Sequence, residues 1–76
     1  MKHQYTEWLE DTGLGERLQE ARIKSGYTFA EIERYTGIQS CSLVNYERCK
    51  TMPLVCVVDA LANLYDVSID WLCGRE

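Results

Sequence analysis

Several kinds of residue are scarce in this 76-residue chain, and each scarcity removes a class of function. The longest uninterrupted apolar run, residues 54–58, is five residues long, whereas a membrane span needs about 20. No basic segment followed by an apolar one opens the sequence, so no secretory signal is expected. With a single histidine, no Ser/His/Asp set and no glycine-rich phosphate loop, catalysis is not expected either. We therefore expect a cytoplasmic protein that is not an enzyme and has no small-molecule substrate.

Closely spaced metal-ligand pairs are also missing. The chain has four cysteines, separated by gaps of seven, six and sixteen residues: Cys41, Cys49, Cys56 and Cys73. Structural zinc sites usually need pairs such as C-x2-C, and the one histidine, His3, lies far away in the N-terminal tail. Disulfides are rare in a reducing compartment. We expect free thiols and no metal or other cofactor.

Positive charge is in deficit, because the formal net charge is −4. A DNA-binding domain usually carries a basic face. The deficit is uneven: residues 1–13 carry −2, residues 14–50 carry +1, and residues 51–76 carry −3. The acidic residues are therefore concentrated at the two ends of the chain, which weakens the case for a nucleic-acid partner without removing it.

What the sequence does contain is repeated helix start and stop signals, with no alternating β-type runs. Thr28 to Glu31 reads as a capping box, and Gly26 and Gly37 follow periodic segments as helix ends. One stripe of the fourth segment is apolar: Val55, Val58, Leu61, Ala62 and Tyr65. The pattern predicts an all-α domain of five short helices, at about 14–24, 28–36, 40–48, 54–65 and 68–74, preceded by an N-terminal extension, residues 1–13.

The second and third predicted helices form the informative pair. Gly37 lies in the turn of three to four residues between them. Two short helices joined in this way cross steeply, as in a helix-turn-helix unit. The N-terminal half of the second helix of such a unit can enter a major groove about 12 Å wide.

Over about residues 14–74, the chain resembles the lambda-repressor-like family, the Cro, phage-repressor and XRE type of helix-turn-helix DNA-binding domain. The resemblance rests on the Thr28-to-Glu31 cap, the Gly37-Ile38 turn and the segments 42–48 and 67–72. It implies a transcriptional regulator, most simply a repressor, that binds a two-fold DNA operator. A single domain of this size covers too little DNA for tight binding, so we expect a homodimer. Its expected dimer surface is the fifth helix together with the end of the fourth, where we expect Trp71, Leu72 and Cys73 to be partly exposed.

The resemblance also implies roles for individual residues. The base-reading positions would be Ser40, Cys41 and Asn45. The phosphate contacts would fall to Gln39, Arg48, Lys50 and Thr51. A structural ion pair, with no part in DNA contact, would join Arg22 and Glu47.

Four residues depart from the family's pattern: Phe29 stands for a phosphate-binding glutamine, Glu33 for a small residue, Gln39 for a serine or threonine cap, and Cys49 for a helix-ending glycine. We expect Glu33 either to splay the two helices or to find a cation such as Arg34 or Lys50. Phe29, Glu33 and the acidic balance leave an alternative open, namely a helix-turn-helix-fold module that binds a protein (anti-repressor-like or regulator-binding) with weak or no affinity for DNA.

The first dozen residues lie outside the family pattern. They include Tyr5, Trp8 and Leu9 among charged residues. We expect this segment to pack back on the domain or to fray, and pairing with a second copy is the alternative.

Overall fold

The computed structural model describes residues 12–75, and within that range every regular element is an α-helix. The five helices are α1 (Leu14–Ser25), α2 (Phe29–Thr36), α3 (Ser40–Glu47), α4 (Val55–Tyr65) and α5 (Ile69–Leu72). The predicted all-α architecture, with a helix-turn-helix at the second and third helices, is confirmed. The expectations for Tyr5, Trp8 and Leu9 fall outside the described residues. No helix between residues 12 and 75 has the length and hydrophobicity needed to cross a membrane.

One fully buried side chain from each helix meets at the centre of the core: Leu18, Ile32, Leu43, Leu61 and Leu72, each at most 2% exposed. Helices α2 and α3 have eight residues each and would not be stable alone. Their stability therefore comes from this shared core.

Two predictions about apolar residues are wrong. Val55 is 80% exposed, because it is the first residue of α4 and lies one turn beyond the buried Val58. Leu72, expected at a dimer surface, is 0% exposed because its side chain is in the centre of the core. Its neighbours Trp71 and Cys73 are half-buried.

The turn between α2 and α3 is held by its own side chains. Thr36 Oγ1 donates to the carbonyl of Ile32 at 2.7 Å and accepts from the amide of Ile38 at 3.1 Å. Gly37 adopts a left-handed conformation with φ 79°, which only glycine adopts without steric cost. These contacts fix the direction in which α3 leaves α2.

Helix α1 crosses the C-terminal end of α3 at Gly15. A Cβ atom at this position would lie 2.5 Å from the carbonyl oxygen of Glu47 and 2.6 Å from the sulfur of Cys49. Cys49 itself has φ 59°, the left-handed conformation of the glycine it replaces, at a cost of about 1 kcal/mol. The close approach of the two helices therefore depends on the missing side chain of Gly15.

The substitution Gly15→Ala tests this approach. Alanine normally stabilises a helix interior by about 1 kcal/mol relative to glycine. Here we expect the opposite sign, a loss of about 1–3 kcal/mol in the free energy of unfolding, because the added methyl group meets a backbone carbonyl. Urea denaturation followed by circular dichroism measures the change. Gln19→Ala, at an exposed position of the same helix, is the control and should change stability little; a stabilised G15A would contradict the packing.

Candidate nucleic-acid interface

Helix α3 presents a polar outer side to solvent. Cys41, Asn45 and Arg48 are spaced four and three residues apart, so they lie on the side opposite the buried Leu43. Cys41 and Arg48 are exposed and Asn45 is half-buried. Three of the proposed base- or phosphate-contacting residues are thus on one accessible surface.

The remaining predicted contact residues lie at the two ends of α3. Gln39 is exposed at the N-terminal end, where Ser40 is half-buried and is the first helical residue. Lys50 and Thr51 are exposed just beyond the C-terminal end. The seven positions therefore run along α3 and the segment that follows it.

Arg22 and Glu47 are in direct contact across the α1–α3 crossing. Arg22 Nε donates to Glu47 Oε2 at 2.8 Å and Nη2 donates to Oε1 at 3.1 Å, a bidentate arrangement. The two side chains are only 17% and 9% exposed. These hydrogen bonds raise the pKa of Arg22 above its ordinary value, although burial alone would lower it. The pair therefore ties the C-terminal end of α3 to α1.

Phe29 has a structural use that the sequence reasoning missed. Its ring lies 4.2 Å from the guanidinium carbon of Arg22, within the range of a cation–π contact. Arg22 is thus held by the carboxylate of Glu47 and the aromatic face of Phe29. Phe29, which the sequence analysis treated only as the absence of a phosphate-binding glutamine, therefore joins α2 to the ion pair.

Of the two alternatives predicted for Glu33, the cation partner is wrong. Within residues 12–75 its carboxylate pairs with neither Arg34 nor Lys50. Instead Glu33 Oε1 accepts from the backbone N–H and from the hydroxyl of Ser40, both at 2.8 Å. These hydrogen bonds hold the pKa of Glu33 below its ordinary value of 4.5.

The carboxylate of Glu33 caps the N-terminal end of α3. Gln39, the residue at the N-cap position of α3, makes no side-chain capping bond. Glu33, seven residues before Ser40, supplies an acceptor for the first N–H of α3 and a negative charge at the positive end of its dipole. Two departures from the family pattern, an unfavourable cap residue and a misplaced carboxylate, therefore compensate each other.

No protein-family model matches the chain. The chain is 44% identical over 63 residues to the HTH-type transcriptional regulator ImmR of Bacillus subtilis (strain 168), an alignment that covers 83% of the chain and 50% of that protein. The chain spans about half the length of the relative it matches. Helix α3 is the second helix of the helix-turn-helix unit formed with α2.

The Arg22–Glu47 pair leads to a stability prediction. Arg22→Ala leaves the nearly buried carboxylate of Glu47 without its partner, so we expect a loss of about 3 kcal/mol in the free energy of unfolding. The double variant R22M/E47L should lose less free energy of unfolding than the sum of the losses in R22M and E47L, because neither charge is left without its partner. Lys24→Ala is the control: its pair with Glu20 is 3.5 Å long with side chains 75% and 52% exposed, and its loss should cost at most about 0.5 kcal/mol. Equal losses in R22A and K24A would contradict a structural role for the pair.

The Glu33 cap leads to a prediction about pH. Because folding lowers the pKa of Glu33, its stabilisation is complete above about pH 4.5 and is lost as the pH falls through the lowered value. Glu33→Gln should therefore lower the melting temperature at pH 7 and reduce its decline between pH 5 and 3. The decline should not vanish, because the capping carboxylate of Glu31 has a lowered pKa too. Thermal melts at several pH values measure both effects. Gln19→Ala removes no titratable group from an exposed position of α1, and it should keep the wild-type decline.

Proposed function

We propose that the chain is a sequence-specific DNA-binding transcriptional regulator of the lambda-repressor-like kind, with its DNA-binding domain at about residues 14–74. The observation that carries the proposal is the outer side of α3. Cys41, Asn45 and Arg48 face away from the core there, and α3 is held by contacts on its opposite side. A helix so supported can enter a major groove without disturbing the fold.

Asn45 is the proposed principal base-reading residue. Its carboxamide can donate and accept at once, which matches N7 and the N6 amino group of adenine. Cys41, one turn earlier on the same side, offers an apolar contact to a thymine methyl group. Ser40 contributes a hydroxyl at the leading end of α3.

The proposed phosphate contacts lie mainly at the other end of the helix. Arg48 and Lys50 are exposed cations close in sequence, and Thr51 adds a hydroxyl beside them. Gln39 is the proposed polar contact at the N-terminal end. Phosphate contacts of this kind set the register of a helix in the groove but carry no sequence information themselves.

The proposed mechanism of regulation is repression as a dimer on a two-fold operator, by excluding polymerase from the site. Two domains bound about one helical turn apart would double the contacted surface. With Leu72 buried, the proposed dimer contact is reduced to Trp71 and Cys73, which are half-buried at the end of α5.

A protein-binding role is the second candidate. It is favoured by the net charge of −4 and by the carboxylate at the N-terminal end of α3, where DNA-binding proteins commonly bring a phosphate to helix amides. A domain of this kind would keep the helix-turn-helix fold and lose most of its affinity for DNA.

Salt dependence separates the two candidates. We expect the chain to bind duplexes selected from a random DNA pool, with an affinity that falls steeply between 50 and 200 mM salt. Arg48→Ala and Lys50→Ala should each weaken binding and each lower the slope of log K against log salt by about 0.9. Fluorescence anisotropy titrations measure both quantities.

The matched control for these variants is Lys24→Ala, which removes one positive charge from α1 at a site paired with Glu20. It should leave the salt slope at its wild-type value. No measurable binding by the wild type at low salt would reject the DNA-binding proposal and favour the protein partner.

A further inference from the structure

The hydroxyl of Ser40 already donates a hydrogen bond within the protein, in the absence of DNA. Both donors of this residue, the backbone N–H and the hydroxyl, point at one atom, Glu33 Oε1, at 2.8 Å each. Ser40 is also the first residue of α3, the end that would lead into a major groove.

The direction of the hydroxyl hydrogen follows from simple proton counting. A serine hydroxyl has one hydrogen and two lone pairs. The carboxylate of Glu33 is ionised at neutral pH and can only accept. The hydrogen of Ser40 therefore lies on the Glu33 side, and the hydroxyl oxygen has only lone pairs left for other partners.

We infer that Glu33 makes Ser40 an acceptor-only reader of DNA, which selects a base with an amino group at the position that Ser40 faces. This inference rests on the proposed DNA-binding function. In the major groove the amino groups are N6 of adenine and N4 of cytosine, whereas thymine O4 and guanine O6 are acceptors. An unconstrained serine can turn its hydroxyl to suit either kind of base, so the discrimination comes from Glu33.

The charge of Glu33 acts in the same direction as the geometry. A carboxylate beside the reading position attracts an amino group and repels a carbonyl oxygen, and acidic side chains are themselves acceptors for cytosine N4. It also occupies the helix amide that a DNA phosphate would otherwise use. The leading end of α3 is therefore built to discriminate between bases, and the cations Arg48 and Lys50 lie at the opposite end.

Selection from a random duplex pool, followed by sequencing, tests this with five proteins: the wild type, S40A, E33A, E33Q and E31A. The position read by Ser40 is the one whose preference is lost in S40A. We expect the wild type to favour adenine or cytosine there by about fivefold, the size of one neutral hydrogen bond. E33A should lose most of this preference, because the freed hydroxyl can then donate to thymine or guanine.

The other two variants separate hydrogen bonding from charge. In E33Q the amide oxygen can still accept from both donors of Ser40, so the preference should persist without the negative charge. E31A removes an equal charge and another capping contact, the one that Glu31 makes with Thr28 on α2, and it should leave the preference unchanged. Circular dichroism at the selection temperature establishes that each variant is folded.

The outcomes distinguish this inference from the proposed function. A wild-type motif that is the same in E33A, or that S40A does not alter, would overturn the role of Glu33 while leaving DNA binding intact. A preference for thymine or guanine at the Ser40 position would do the same, because it would mean that DNA displaces Glu33. Failure of the wild type to enrich any sequence would overturn both.

Discussion

The bidentate contact between Arg22 and Glu47 is the interaction on which the placement of α3 depends. Glu47 is the last residue of α3, and its carboxylate is held by a guanidinium from α1 that also lies against the ring of Phe29 from α2. Three helices thus meet at one charged group. A partly buried pair of this kind contributes little net stability but strongly penalises any arrangement that separates its partners. Its effect is to select one orientation of α3 over others that the apolar core alone would tolerate.

The unusual residues of this chain are best understood in pairs. Relative to the family pattern that the sequence resembles, Phe29 stands in place of a polar residue and covers Arg22, while Glu33 stands in place of a small residue and caps the helix that Gln39 leaves uncapped. Each substitution considered alone is a defect, in one case a lost ligand and in the other a misplaced carboxylate. Considered with the residue it contacts, each restores something that the fold needs. Cys49 is a different case, since it keeps a left-handed conformation at the position of a glycine.

Local signals predicted the fold well, and they could not predict these pairings. The capping box at Thr28 and the turn at Gly37 act within four residues, so sequence spacing is enough to find them. Val55 was misplaced because periodicity gives the side of a helix but not where the core ends along its axis. The Glu33–Ser40 contact spans a turn and seven residues, and no helix or cap periodicity covers that distance. The sequence did contain a clue: α3 begins after Gln39, which is a poor capping residue, and the carboxylate of Glu33 lies in the helix just before it.

The negative net charge has a physical consequence for a domain of this shape. Binding to phosphate supplies affinity without discrimination, so a chain with few free cations gains less from any DNA than a basic one does. Under the proposed function, an incorrect sequence loses favourable contacts and also meets the carboxylate of Glu33 at the N-terminal end of α3, while the cations Arg48 and Lys50 lie at the other end. The acidic character then lowers the affinity for every DNA sequence, but it raises the ratio of the affinity for the operator to the affinity for other sequences. Where many wrong sites compete, that ratio determines which site is occupied.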